Sequence, residues 1–179
     1  MNHVITQNVD GLHTYSGLNN VTELHGCSHR VKCLDCDAKY ARNYLQSKFK
    51  DKNPDFDDLV GSTMSFAPDA DAILTPEQIL EFRPLNCESC GSDRLKPEVV
   101  FFGDNVPKPV VEFCYEKIDE SDLLLVLGST LQVYSSYRFA VRSSKAGKKI
   151  VSVGIGETRA AKITDHHLDA GLLDFIKKF

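Results

Sequence analysis

The sequence predicts an α/β chain, a doubly wound parallel sheet interrupted by one small inserted module. Three observations carry this. The second half alternates strand and helix: "DLLLVLGSTLQV", then "YRFAVRSSKAGKK", then "KIVSVGIG", then "GLLDFIKKF". Its strands are apolar runs that stop at glycines, the habit of parallel strands covered on both faces. Two C-x-x-C pairs, Cys33/Cys36 and Cys87/Cys90, bracket a polar stretch with no such alternation.

In chain order, His3 to Asn8 reads as a strand with a polar end, and "VTELH" (21–25) as a second extended piece leading to His25-Gly26. "VKCLDCDAKY" (31–40) has the composition of a metal knuckle and its adjoining strand, followed by a helix around Tyr44, Leu45 and Phe49 that ends near Asn53-Pro54. The stretch 61–72 is small and polar and reads as a loop. "TPEQILEF" opens a helix with Thr75 as N-cap, Pro76 at its first position and Gln78 completing a capping box. "NCESCGSDRLKP" is the second knuckle, and "EVVFFGD" is expected to be a strand ending at Gly103-Asp104. Helix 108–121 should bury Val111, Phe113 or Cys114, and Ile118. Strand 123–127 is expected to be apolar on both faces, the segment "YRFAVRSSKAGKK" (137–149) to be a helix closed by Gly147 near its end, and strand 149–156 to end in glycines. The domain limits that follow are 1–30 with 97–179 for the sheet and 31–96 for the inserted module.

Composition bounds the function. The 179 residues are 42% hydrophobic and 26% charged, enough to bury a core. A net charge of −4 and a pI near 5.8 disfavour a general nucleic-acid binder, which presents a basic face. No apolar run approaches the ~20 residues of a membrane span. Neither a signal peptide nor an Arg-rich targeting segment stands at Met1.

Two C-x-x-C clips bring four thiolates together, as a tetrahedral zinc site requires. Cys33, Cys36, Cys87 and Cys90 with no open position make a structural rather than a catalytic centre. Four free buried cysteines are the alternative. Cys114 reads as a core residue; Cys27 remains open as a further sulfur near the metal.

The polar strand ends are the other candidates. Gln7, Asn8, Val9 and Asp10 follow one strand, and His25 follows the next. Amides, a carboxylate and an imidazole can hold a ribose and a carboxamide and move a proton; each of them alone is also an ordinary turn residue. Gly128-Ser129-Thr130 and the Gly154/Gly156 pair either admit a ligand to the backbone or merely turn the chain. No G-x-G-x-x-G fingerprint occurs.

Taken in order, "TQNVDGLH", His25-Gly26, the two C-x-x-C pairs, "LKPEVVFFGD" and "LVLGSTLQVYSSYRF" resemble the sirtuins, NAD-dependent protein-lysine deacylases. The wording through "IGETRA" is most similar to the mitochondrial class II, sirtuin-4 branch. The resemblance implies a Rossmann-like NAD-binding domain and one structural zinc ion. It implies that Gln7, Asn8, Val9 and Asp10 hold nicotinamide and its ribose, with Asp10 and the Val9 backbone at the carboxamide. It implies that His25 is the catalytic base on a ribose hydroxyl. Gly128, Ser129 and Thr130 correspond to the adenosine-ribose loop. Gly154, Ile155 and Gly156 fall where relatives carry an Asn-Ile-Gly type loop, and Gly154 departs from that pattern. Ala170 stands where a relative has an adenine-side cysteine. Val100, Phe101, Phe102, Gly103 and Asp104 correspond to the strand that pairs with the substrate peptide. The implied reaction moves the acyl group of acyl-lysine to ADP-ribose and releases nicotinamide, with ADP-ribosyl transfer as a further activity of the branch.

The implied partners are NAD and acyl-lysine proteins, without nucleic acid or membrane. The implied location is the mitochondrial matrix, with nucleus or cytoplasm as alternatives. The resemblance also implies an upstream strand and helix with a "GAGIS"-type segment, which the sequence does not contain. The chain is therefore expected to be an N-terminally truncated form. As written, it should bind NAD weakly or not at all and expose a strand edge that favours aggregation. A catalytically incompetent zinc-containing interaction module is the competing reading.

Overall fold

The computed structural model describes residues 3–56, 65–66 and 72–178. The chain divides into two compact units, Met1–Gly26 with Val100–Phe179, and Cys27–Val99. Among the described residues no helix is long and apolar enough to cross a membrane.

The first unit holds two parallel ladders. Strand β1 (Val4–Thr6) pairs with β2 (Val21–Glu23), joined through the short helix α1 (Leu12–Tyr15). Strands β8 (Leu123–Leu127), β9 (Lys149–Gly154) and β10 (His166–Asp169) form the second ladder in the order β10–β9–β8. The crossover from β8 to β9 is helix α5 (Tyr134–Lys145), closed as expected by Gly147 at φ 68°. Helix α4 (Lys108–Glu120) precedes β8, and α6 (Leu172–Ile176) follows β10. This is the α/β arrangement the sequence predicts.

Helix α4 buries Val111, Cys114 and Ile118 at i, i+3 and i+7, leaving Phe113 42% exposed. Of the two alternatives on that face, the sulfur goes inside, and burial pushes the Cys114 thiol up to about 11. The three meet Leu24, Val106 and Phe139 in one cluster. A second cluster, Val126, Leu131, Ala140, Ile150 and Ala160, lies between β8, β9 and α5; Leu124 packs against both. The Lys148 ammonium donates to the carbonyls of Ile118, Asp119 and Ser121, satisfying acceptors that the end of α4 leaves open.

Two expectations need correction. Strand β8 is not covered on both faces. Val126 is buried, but Leu123, Leu125 and Leu127 are exposed by 46%, 42% and 46%. Alternate residues of a strand face opposite ways, and only the even-numbered side meets the helices. The strand expected at "EVVFFGD" is displaced upstream: β7 runs Leu95–Val99. From Phe101 the backbone turns, closed by Asp104 N–H to Phe101 O at 2.9 Å with Gly103 at φ 92°. Strand β10 has no counterpart among the strands the sequence predicts.

The second unit contains a sheet in the order β4–β3–β7, with β3 at Gly26–Cys33 and β4 at Lys39–Ala41. Helix α2 (Arg42–Lys52) buries Leu45. Helix α3 (Pro76–Glu81) carries the full capping box: Gln78 N–H donates to Thr75 Oγ1, and Thr75 N–H donates to Gln78 Oε1. Within the stretch read as a loop, Ser65–Phe66 (β5) pairs with Ala72–Ile73 (β6) in an antiparallel ladder; residues 61–64 and 67–71 lie outside the described residues.

Candidate functional sites

Every candidate binding residue of the first unit, apart from Val100–Asp104, lies at or just beyond the carboxyl end of a parallel strand. Gln7 to Asp10 follow β1, His25 stands two residues beyond β2, Gly128 to Thr130 follow β8, Gly154 ends β9, and Ala170 follows β10. Ligands of open α/β sheets bind along such an edge.

One side chain ties the two ladders together there. Gln7 Nε2 donates to Ser129 Oγ at 2.7 Å. Ser129 Oγ also accepts Leu131 N–H at 3.1 Å. Leu131 is held at φ 54°, a left-handed conformation unusual for a bulky side chain. Arg159 clamps the same loop, its backbone N–H on Thr130 O and its guanidinium on Gln132 O. Gly128 sits at φ 61°, a left-handed conformation that favours glycine; a Cβ there would stand 2.8 Å from the tip of the Leu172 side chain on α6.

His25 is oriented from both sides. Nδ1 lies 3.1 Å from Gln7 O, and Nε2 lies 2.8 Å from Ser135 Oγ. Its carbonyl accepts Val100 N–H at 2.9 Å, bringing the start of the 100–104 segment beside it. Asp10 Oδ1 accepts Leu12 N–H at 3.0 Å, an Asx-type bond that starts α1, while Asn8 N–H donates to Thr6 Oγ1. Beyond β9, Gly156 N–H donates to Asp169 Oδ1, and Ile155 is 80% exposed. Val100–Asp104 form no strand; Phe101 and Phe102 stand 48% and 91% exposed on their turn. Ser135, Arg159 and Asp169 escape a sequence reading because their partners are distant along the chain.

In the second unit Cys33, Cys36, Cys87 and Cys90 come together, their sulfurs all within 4.8 Å of one another. Sγ of Cys33 lies 3.7 Å from that of Cys90, and Sγ of Cys36 lies 3.6 Å from that of Cys87. Four sulfurs at about 2.3 Å from a tetrahedral zinc stand about 3.8 Å apart, so the set fits the ion. Cys27 is not part of the cluster. The knuckles repeat one device: the residue after each second cysteine, Asp37 at φ 57° and Gly91 at φ 77°, is left-handed and turns the chain back.

Tyr40 supports the cluster. Its hydroxyl receives Glu88 N–H and lies 3.2 Å from Cys87 Sγ. That hydroxyl, donating to sulfur, is the main reason the Cys87 thiol is held down at about 6. Tyr40→Phe is expected to lower zinc affinity on the order of 10-fold, read by competition with a chromogenic chelator. Unchanged competition would show the contact to be incidental.

Residues 1–135 match the family model of the Sir2 family. The chain belongs to the Sir2 family. The Sir2 chain is 44% identical over 167 residues to the Bos taurus NAD-dependent protein lipoamidase sirtuin-4, mitochondrial, an overlap of 93% of this chain and 52% of that relative. It is 45% identical to the Homo sapiens protein of the same name, covering 88% and 49% of the two chains. With the Drosophila melanogaster NAD-dependent protein deacylase Sirt4 it shares 43% identity, over 98% and 55%. It thus spans about half the length of these relatives. Among solved structures, "Sir2-p53 peptide-NAD+" superposes with a TM-score of 0.72 at 27% identity, covering 98% of this chain and 60% of that one. "Sir2 bound to acetylated peptide" gives 0.73 at 27% identity, covering 98% and 61%.

Proposed function

We propose that this Sir2 chain contributes the catalytic histidine, the strand-end loops and the zinc module of an NAD-dependent protein-lysine deacylase. The observation that carries the reading is the convergence of Gln7, His25 and Ser129 at the strand ends, with His25 held by a bond on each ring nitrogen. NAD, when bound, would supply the ADP-ribose acceptor for the acyl group and nicotinamide as the leaving group. Gln7, Asn8, Val9 and Asp10 hold the nicotinamide side. Gly128, Ser129, Thr130, Gly154, Ile155, Gly156 and Ala170 form the adenosine side. His25 Nε2 takes the proton of a ribose hydroxyl, since Nδ1 is already committed to Gln7 O.

Val100 to Asp104 contact the acyl-lysine peptide. What supports this is the bond from Val100 to His25 and the exposed rings of Phe101 and Phe102. The four cysteines hold one zinc ion that takes no part in the chemistry. The catalytic domain comprises residues 1–30 with 97–179, and the zinc module 31–96. The likeness to sirtuin-4 relatives named mitochondrial supports a location in the mitochondrial matrix.

The test is nicotinamide release that depends on an acyl-lysine peptide. It is measured on this chain and on a form carrying the upstream half of a sirtuin-4 relative, across lipoyl, acyl and acetyl lysines. Release with at least one of them supports the reading. Nicotinamide release from neither form with any peptide overturns it.

A further inference from the structure

The two bonds of His25 point to a residue outside the assigned site. Nδ1 faces Gln7 O at 3.1 Å. A carbonyl only accepts, so Nδ1 carries the ring proton. In the neutral imidazole Nε2 then holds the lone pair, and its neighbour at 2.8 Å is Ser135 Oγ. The serine hydroxyl is therefore the donor, and no proton leaves either group.

Ser135 is the second residue of α5, a rigid mount packed through Phe139 and Ala140. Its neighbour Ser136 does something different: it is buried and donates to Val133 O within its own helix at 3.1 Å. Of two adjacent serines, one serves the helix and the other reaches a histidine 110 positions back. The reach has a chemical meaning. A hydroxyl at 2.8 Å donating to Nε2 occupies the position that a reacting sugar hydroxyl must take if His25 is to act as its base.

We propose that Ser135 is a positioning residue that occupies the His25 Nε2 lone pair in the free protein and yields it to an incoming sugar hydroxyl. With Nδ1 fixed on Gln7 O and Nε2 on Ser135, the ring is held in one plane and one tautomer before any ligand arrives. A single rotation about the serine χ1 angle then frees Nε2. This inference rests on His25 being the base; the bond itself is tested without turnover.

The experiment uses the whole chain without NAD. Diethyl pyrocarbonate acylates unprotonated imidazole nitrogen, and tandem mass spectrometry resolves His25 from His13. Ser135→Ala is expected to speed modification of His25 by roughly 2- to 10-fold, the worth of one neutral hydrogen bond, with His13 unchanged. Ser135→Thr keeps a hydroxyl on the same mount and is expected to return the rate to that of the parent chain. In the ¹⁵N-labelled chain, Ser135→Ala should move the Nε2 resonance and leave the β8–β10 amides in place. An unaltered His25 rate in Ser135→Ala, or a threonine variant as fast as the alanine one, overturns the proposal. Absence of nicotinamide release alongside the expected labelling pattern would count against the deacylase reading and leave the Ser135 contact standing.

Discussion

Replacing Cys33 and Cys36 together by serine is expected to unfold Cys27–Val99 and leave the β8–β10 ladder folded. Among the described residues the buried apolar side chains of that unit are Cys27, Val31, Cys33, Leu45 and Cys87. Three of these five are cysteines, and two belong to the metal cluster. Burying Val31 and Leu45 contributes about 1.5–3 kcal/mol each, little against a backbone ordering cost of roughly 1–2 kcal/mol per residue. A structural zinc site, by contrast, contributes on the order of 10–16 kcal/mol of apparent folding free energy. The metal term exceeds what the small core supplies, so the module should fold only with the ion bound. Hydrogen exchange is the direct measurement: amide protection should vanish across β3, β4 and β7 and persist in β8 to β10, with zinc content falling from one per chain to none. A strong chelator should give the same pattern in the unmutated chain. Persistent protection of β3 in the double variant would show that something other than the metal holds this unit.

What the sequence disclosed were features written within a few residues. The C-x-x-C clips, the Thr75-Pro76-Gln78 start of α3 and the buried spacing of Val111, Cys114 and Ile118 each follow from local geometry, and each is present. The misses have a different character. Strand β10 is "HHLD", exposed throughout, and the single apolar residue Leu168 makes no alternation to announce it. It exists because β9 offers a ladder, helped by the bond between the buried Ser152 Oγ and His167 Nδ1. Strand β7 contains Pro97, which argues against a strand in sequence, yet it lies at the edge of its sheet, where a missing N–H is tolerated. The exposure of Leu123, Leu125 and Leu127 is a tertiary fact, because an apolar pentamer reads as buried whichever face is covered. The candidate strand-end site divides in the same way: its residues are legible as polar groups after apolar runs, but the pairings Gln7–Ser129 and His25–Ser135 join distant segments.

In the form carrying the upstream half of a sirtuin-4 relative, His25→Ala is expected to reduce formation of acyl-ADP-ribose by about 10²- to 10⁴-fold, the usual worth of a positioned acid–base group, while zinc content stays at one per chain. The two outcomes separate because His25 belongs to the first unit and the four cysteines to the second. A sharper separation lies within the reaction. On the proposed mechanism, the proton that His25 would accept belongs to a ribose hydroxyl that acts after nicotinamide has left. Exchange of labelled nicotinamide into NAD should therefore be reduced far less than product formation, and the ratio of the two rates is the diagnostic. His25→Gln, which keeps a polar side chain but no ring nitrogen of suitable basicity, should behave like the alanine variant. If both rates fall together, the histidine acts in binding or in the first displacement, as a residue that only shapes the nicotinamide side would. If neither falls, the bonds to Gln7 and Ser135 hold a structural imidazole, and the base must be sought elsewhere along the strand ends.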